Sequence, residues 1–211
     1  MHFRKVILVN QKIKQIINQS NIISEMVLNM NKGDVYIIKK VFDENWIEDL
    51  KTYLVNVGKN SLPNYESIEK GAPNFHRINR NDSRAYVKGS FHQFVFYPWN
   101  QDYFNIFEKS KYIFFMKNLI SGLRKDKFLN NIPEDNCTAR IAIQCYPRGE
   151  GFLNKHSDPV DYHQLVVPML IMSNRGDDFR DGGAFFEDKN GEPINIEKYL
   201  SKGDIIFFNA G

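Results

Sequence analysis

The sequence predicts an α+β fold with a mainly β core, a sandwich or jelly roll braced on one outer face by helices from the N-terminal part of the chain. Three observations predict it. From Cys137 onward, short apolar runs follow one another with turn residues between them, as a many-stranded β fold requires. Before that point, two stretches place apolar residues at three- and four-residue steps, the period of an amphipathic helix. With 211 residues and 42% hydrophobic content, the chain can bury a sizeable core, and its length suits one large β-rich domain with a helical flank.

Taken in order, Met1 to Asn10 is too short and too quickly polar for a secretory signal. Residues 11–30 space Ile13, Ile16, Ile17, Ile23, Met26, Val27 and Met30 as one amphipathic helix, which Lys32-Gly33-Asp34 breaks. Val35 to Lys39 reads as a strand. Asp43 is placed to cap a helix running to about Val57, with Trp46, Leu50, Tyr53 and Leu54 on its buried face. Residues 58–90 carry two prolines, three glycines and many polar residues, and read as a functional loop or lid. Phe91 to Tyr97, bounded by Gly89-Ser90 and Pro98, reads as a strand, and Tyr103 to Leu123 as a second long helix. Strands are then expected at Cys137–Tyr146, Phe152–His156, Gln164–Met172, Gly183–Glu187 and Ile205–Phe208, with turns at Lys189-Asn190-Gly191 and Ser201-Lys202-Gly203. Residues 1–136 thus form the expected support region and residues 137–211 the β core.

The 28 basic and 25 acidic residues are interspersed and leave a net charge of only +3, which argues against a nucleic-acid partner. His76, Arg77, Arg80 and Arg84 form a local basic cluster that could meet an anion, or simply a solvated loop. The longest apolar runs, such as Leu165 to Met172 around Pro168, are strand-sized, so no membrane span is expected and a soluble, cytoplasmic protein is. Cys137 and Cys145, eight apart, would lie on one face of a straight strand and too far apart to pair, and read as reduced core residues.

His156-Ser157-Asp158 carries the chemistry. In an extended strand residues i and i+2 point to the same side, so His156 and Asp158 can grip one metal ion while Ser157 turns away. Pro159 biases Asp158 toward that extended geometry. With a third ligand, usually a histidine from a later strand, the pair becomes the two-histidine, one-carboxylate triad that leaves three positions open on Fe(II). A solvent-facing His and Asp at a strand end would carry the same triplet.

The stretch Cys145-Tyr146-Pro147-Arg148-Gly149-Glu150-Gly151-Phe152-Leu153-Asn154-Lys155-His156-Ser157-Asp158 resembles the Tyr-Pro-x-Gly-x-Gly-aromatic-x-x-His-x-Asp motif of the 2-oxoglutarate and Fe(II)-dependent oxygenases, the prolyl hydroxylase branch most of all. Asp181-Gly182-Gly183-Ala184-Phe185 resembles that family's Gly-Gly before a strand, and Gly203-Asp204-Ile205-Ile206-Phe207-Phe208 its strand leading to the distal histidine. The resemblance covers about residues 137–211 and implies a double-stranded β-helix, cupin-like, in which His156 and Asp158 bind Fe(II). It implies 2-oxoglutarate and O2 as cosubstrates, with ascorbate as an optional addition, and hydroxylation of a C–H bond coupled to release of succinate and CO2.

The resemblance also places the Tyr146 hydroxyl against a carboxylate of 2-oxoglutarate, although a core tyrosine would look the same. Asp158 sets the chain apart from halogenating relatives, which carry a small residue there. The distal histidine and the basic partner of 2-oxoglutarate are expected beyond Gly211, so the chain reads as a truncated oxygenase. His163 follows Asp158 too closely to serve, and His2, His76 and His92 precede the β region. Phe152, Phe185 and Phe207 could line a dry cavity or simply pack the core. The substrate is expected to be an amino acid, a peptidyl residue or a small metabolite, with Arg77, Arg80, Arg84 and Trp99 on its side of the site. Two rivals keep the same residues: a non-catalytic jelly-roll or cupin-like binding module, and a divalent-metal enzyme that isomerises or hydrolyses without 2-oxoglutarate.

Overall fold

The computed structural model describes residues 2–60, 75–78 (backbone), 87–158 and 164–211. The fold is mixed α+β, and its chain divides into two compact, interleaved units: Met1–Glu48, Lys109–Asp126 and Ser157–Gly211 in the first, Asp49–Glu108 and Lys127–His156 in the second. These units cut across the expected division at residue 136. Among the described residues the sheets are open, with no closed barrel. No helix among them is long and apolar enough to cross a membrane.

The first unit is built on β1 (Lys5–Val9) and β2 (Asp34–Ile38), which pair in parallel from Lys5↔Asp34 to Val9↔Ile38. A parallel pair needs a crossover, and α1 (Ile13–Ile16) and α2 (Ser20–Met30) supply it. The single helix expected over 11–30 is therefore two. Asn18 and Gln19 turn their side-chain amides back onto the carbonyls of Lys14 and Gln15, a local alternative to the helical ladder that ends α1. β1 is an addition to the expected elements, although Val6-Ile7-Leu8-Val9 is a strand-like run.

Strand β10 (Ile205–Phe207) lies antiparallel between β2 and β7 (Met169–Leu170), giving the order β1-β2-β10-β7. Every residue of β2 is buried, as expected of a strand covered on both faces. Tyr36, Ile38, Ile205 and Phe207 pack on one face with Ile16, Met26, Met30, Ile113, Met116 and Ile120, the last three from α4 (Ile106–Ile120). Val35, Ile37 and Ile206 pack on the other with Ile196, Phe186 and Phe208. The hairpin of β8 (Phe185–Glu187) and β9 (Pro193–Asn195) belongs to that side. Its turn falls at Lys189-Asn190-Gly191 as expected. Asp188 Oδ1 accepts from the Asn190 and Glu192 amides at 2.8 and 2.9 Å, and the amides of Glu192 and then Asn190 hold the Asp188 carboxyl below its ordinary pKa.

In the second unit β4 (Gly89–Phe96) is central, with β3 (Phe75–Ile78) on one edge and β5 (Ile141–Cys145) on the other, while β6 (Phe152–Leu153) pairs with the first two residues of β4. Leu50 and Leu54 of α3 (Glu44–Asn60) are buried at 1% and 4% exposure, while Trp46 and Tyr53 are only partly covered. Asp43 caps α3 as its position suggests, its Oδ1 accepting from the Trp46 amide at 3.0 Å. The expected loop at 58–90 contains the end of α3, all of β3 and the start of β4.

Several strands are shorter than expected: Phe152–His156 contracts to β6, Gln164–Met172 to β7, and Cys137–Tyr146 to β5. Pro168, with no N–H to give, stands immediately before β7. Cys137 and Cys145 are both unpaired, as expected, but Cys145 is exposed and Cys137 only half-buried, so neither is a core residue.

Candidate functional site

The strand β6 stops at Leu153, so His156 and Asp158 lie in irregular backbone and not at a strand end. His156, which closes the second unit, is exposed, and its Nδ1 stands 2.9 Å from the main-chain oxygen of Asn154. A carbonyl oxygen can only accept, so Nδ1 is the donor in this contact. Metal-binding histidines are held in this way, the second nitrogen pinned by a backbone acceptor.

Asp158 belongs to the first unit and is half-buried. Its backbone amide donates to the Ala210 carbonyl at 2.9 Å, and Val166 bridges Asn209. The segment after β10 therefore runs beside Asp158. His156 and Asp158 are two residues apart, so their Cα atoms are at most about 7 Å apart whatever the intervening backbone does. Imidazole and carboxylate are side-chain types that suit Fe(II). Among the described residues, no three His, Cys, Asp or Glu side chains gather into a set that could hold a metal.

Tyr146 follows β5 in the second unit. Its ring is tilted against Phe91 at 6.0 Å, and its hydroxyl donates to Gln144 Oε1 at 2.7 Å. Gln144 Nε2 in turn donates to Gln93 Oε1 at 3.1 Å, across the β4–β5 pair. Burial pushes the Tyr146 phenol up to about 12. Because the residue is still 45% exposed, water screens part of that effect, and the upward direction carries the expectation. Burial raises the Tyr36 phenol as well, so ionisation followed at 295 nm should extend above the ordinary phenol range, and Tyr146→Phe should remove part of that high-pH change. The fold favours the neutral phenol, so its contribution to stability is intact below the unfolded value of about 10 and is lost as pH rises toward 12. The glutamines are not among the expected site residues; the signal available is the two-residue spacing of Gln144 and Tyr146, which puts both on one side of the strand.

Between β5 and β6 the chain leaves β4 and returns. Cys145 pairs with His92 and Phe152 with Ser90, so Pro147 to Gly151 form an excursion between two pairings with β4. Gly151 closes it, its amide bonding the Pro147 carbonyl at 2.7 Å, where a Cβ would meet that oxygen and Tyr146 at 2.7 Å.

The two glycine motifs have local structural roles. Gly183, at φ +104°, brings the backbone against Glu197, whose carboxylate accepts from the Ala184 amide at 2.6 Å. A Cβ at Gly183 would fall 2.3 Å from the Glu197 side chain. Gly203, at φ +89°, lets its backbone approach the Phe42 carbonyl. The neighbouring Asp204 is fully buried, accepting from the Lys40 and Ser201 amides at 2.9 and 2.8 Å and pairing with Lys39.

Trp99 stacks on Tyr97 with centroids 5.0 Å apart and planes 5° from parallel, and remains 36% exposed. Arg77 lies in β3, its backbone paired with His92, while Arg80, Arg84, Pro159 and His163 lie outside the described residues. Of the phenylalanines expected to line a cavity, Phe207 is fully buried in the core beside the helices, and Phe185 is 44% exposed. Comparison of the chain with family models, with curated proteins and with solved structures finds no match.

Proposed function

We propose that this protein is a non-haem Fe(II) and 2-oxoglutarate-dependent dioxygenase, a hydroxylase of an unactivated C–H bond in an amino acid, a peptidyl residue or a small metabolite, built on a double-stranded β-helix. The observation that carries the reading is the bond from the Asp158 amide to Ala210. It brings Asp158 of the His-x-Asp triplet beside the segment that follows Gly203-Asp204 and β10, the two motifs that must converge on one metal in this family. The Nδ1 contact of His156 with Asn154 supports it, since metal-binding histidines are oriented by such a bond from one ring nitrogen to a backbone acceptor.

In this reading His156 and the Asp158 carboxylate would hold the iron. Iron with 2-oxoglutarate and O2 supplies the oxidising power; the chain supplies binding, orientation and exclusion of water. Tyr146, kept neutral by its surroundings, donates a hydrogen bond to a cosubstrate carboxylate. Arg77, Arg80, Arg84 and Trp99 are assigned to the substrate side. A cytoplasmic setting suits the free thiols of Cys137 and Cys145.

The structural duties of Gly183 and Asp204 favour a second reading, a jelly-roll or cupin-like binding module that keeps the same motifs for folding alone. An anaerobic titration with Fe(II) and 2-oxoglutarate separates them. A visible metal-to-ligand charge-transfer band, absent from a folded Asp158→Ala variant, is the expected result; a folded wild-type protein with no band would sink the dioxygenase reading.

A further inference from the structure

The row formed by Gln93, Gln144 and Tyr146 has a fixed polarity. The Tyr146 proton goes to Gln144 Oε1, and the Gln144 amide nitrogen donates to Gln93 Oε1. Gln93 and Gln144 are directly opposite in the antiparallel register of β4 and β5, and Tyr146 comes two residues after Gln144. All three therefore project from the same side of the sheet edge. Gln144 and Tyr146 are exposed and Gln93 is half-buried, so a ligand can reach the row from solvent. A phenol has a single proton, and here it is already given to an amide oxygen.

We propose that Gln144 is an internal stand-in for a ligand carboxylate: its side-chain oxygen takes the Tyr146 proton, and a carboxylate binds by displacing it. Gln93 is the positioning residue, because its oxygen takes the Gln144 amide nitrogen and so aims the Gln144 oxygen at the phenol. That the ligand is a carboxylate, and that of 2-oxoglutarate, rests on the dioxygenase reading; the hydrogen-bond row supplies the acceptor it would displace. Displacement exchanges a neutral acceptor for an ionised one, and hydrogen bonds to ionised acceptors are the stronger kind. The phenol stays protonated, and hence a donor, across the ordinary pH range.

The consequence runs against the usual effect of deleting a polar contact. Gln144→Leu releases the phenol proton and should tighten 2-oxoglutarate binding roughly threefold to tenfold, the worth of one neutral hydrogen bond. Gln93→Leu lets the Gln144 amide swing away and should tighten it by less. Tyr146→Phe should weaken it by a similar factor or more.

The experiment is isothermal titration of 2-oxoglutarate into the full chain and the three variants, first without metal and then with Fe(II) under argon, each variant first shown to be folded by circular dichroism. Tighter binding by Gln144→Leu with weaker binding by Tyr146→Phe supports the proposal. Unchanged or weaker binding by Gln144→Leu overturns it, even where the charge-transfer band shows the iron site to be real. Metal-free binding that follows the expected order without any band keeps the competition and removes the dioxygenase reading. No binding by the wild type in either condition overturns both.

Discussion

Asp204→Ala is expected to cost about 3–5 kcal/mol of stability, the usual penalty for removing one partner of a buried ion pair. The side chain of Asp204 is fully buried, and that of Lys39 only 20% exposed. Lys39 Nζ keeps a bond to the Tyr199 carbonyl at 2.9 Å, but that oxygen carries no charge to balance the ammonium. The Lys40 and Ser201 amides, 2.9 and 2.8 Å from the carboxylate, would lose their acceptor as well. Both Lys40, at φ +53°, and Gly203, at φ +89°, adopt left-handed backbone around this carboxylate, so the cluster also fixes how β2 ends and β10 begins. Urea denaturation followed by near-ultraviolet circular dichroism measures the loss. Asp204→Asn, which retains one acceptor oxygen, should lose less than Asp204→Ala. A loss below about 1 kcal/mol for Asp204→Ala would show that the pair behaves as a solvated one.

Phe207→Ala should cost a comparable amount, about 3–5 kcal/mol, the range for truncating a fully buried phenylalanine. Phe207 is 0% exposed and faces Tyr36 across the β2–β10 pair. It belongs to the cluster that joins the sheet to α2 and α4, so its removal leaves a cavity bordered by elements that a strand alone cannot pull together. Phe208, the next residue, lies on the opposite face, half-buried against Phe186 at 5.0 Å. Phe208→Ala should therefore lose appreciably less than Phe207→Ala in the same urea experiment. Equal losses would contradict the assignment of faces. This expectation replaces the idea of Phe207 as a wall of the oxidation site, since its ring is used by the helical core.

Elements with a strong local signal were legible in the sequence. Asp43 and the apolar spacing behind it specify α3, and Ser201-Lys202-Gly203 with the run after it specifies the turn and β10. The turn at Lys189-Asn190-Gly191 was visible because Asn-Gly accepts positive φ, yet β9 beyond it was not, because Pro193-Ile194-Asn195 is too short and mixed to alternate. β1 is a five-residue strand whose pattern is plain only once β2 is known to stand beside it. The break between α1 and α2 depends on side-chain amides competing with backbone, which apolar periodicity does not register. At the candidate site, the sequence placed a histidine and a carboxylate two residues apart, but the contacts of His156 with Asn154 and of Asp158 with Ala210 end on main-chain carbonyls, which have no side-chain signature. The Gln93–Gln144 contact required the register of two strands distant in sequence.

The excursion of Pro147 to Gly151 separates two kinds of positional control. Cys145 and Phe152 are far enough apart to hold a loop between them, yet their partners on β4, His92 and Ser90, are separated by Phe91 alone. The continuous strand β4 thus acts as a ruler for both sides of the interruption. The side chains of Arg148 and Glu150, both exposed, can change without moving Tyr146 or Phe152 along that ruler, provided Gly149 keeps its left-handed φ of +82° and Gly151 its close approach to Pro147. These two exposed positions are accordingly where related chains could diverge in what they recognise while the rungs on either side stay in register.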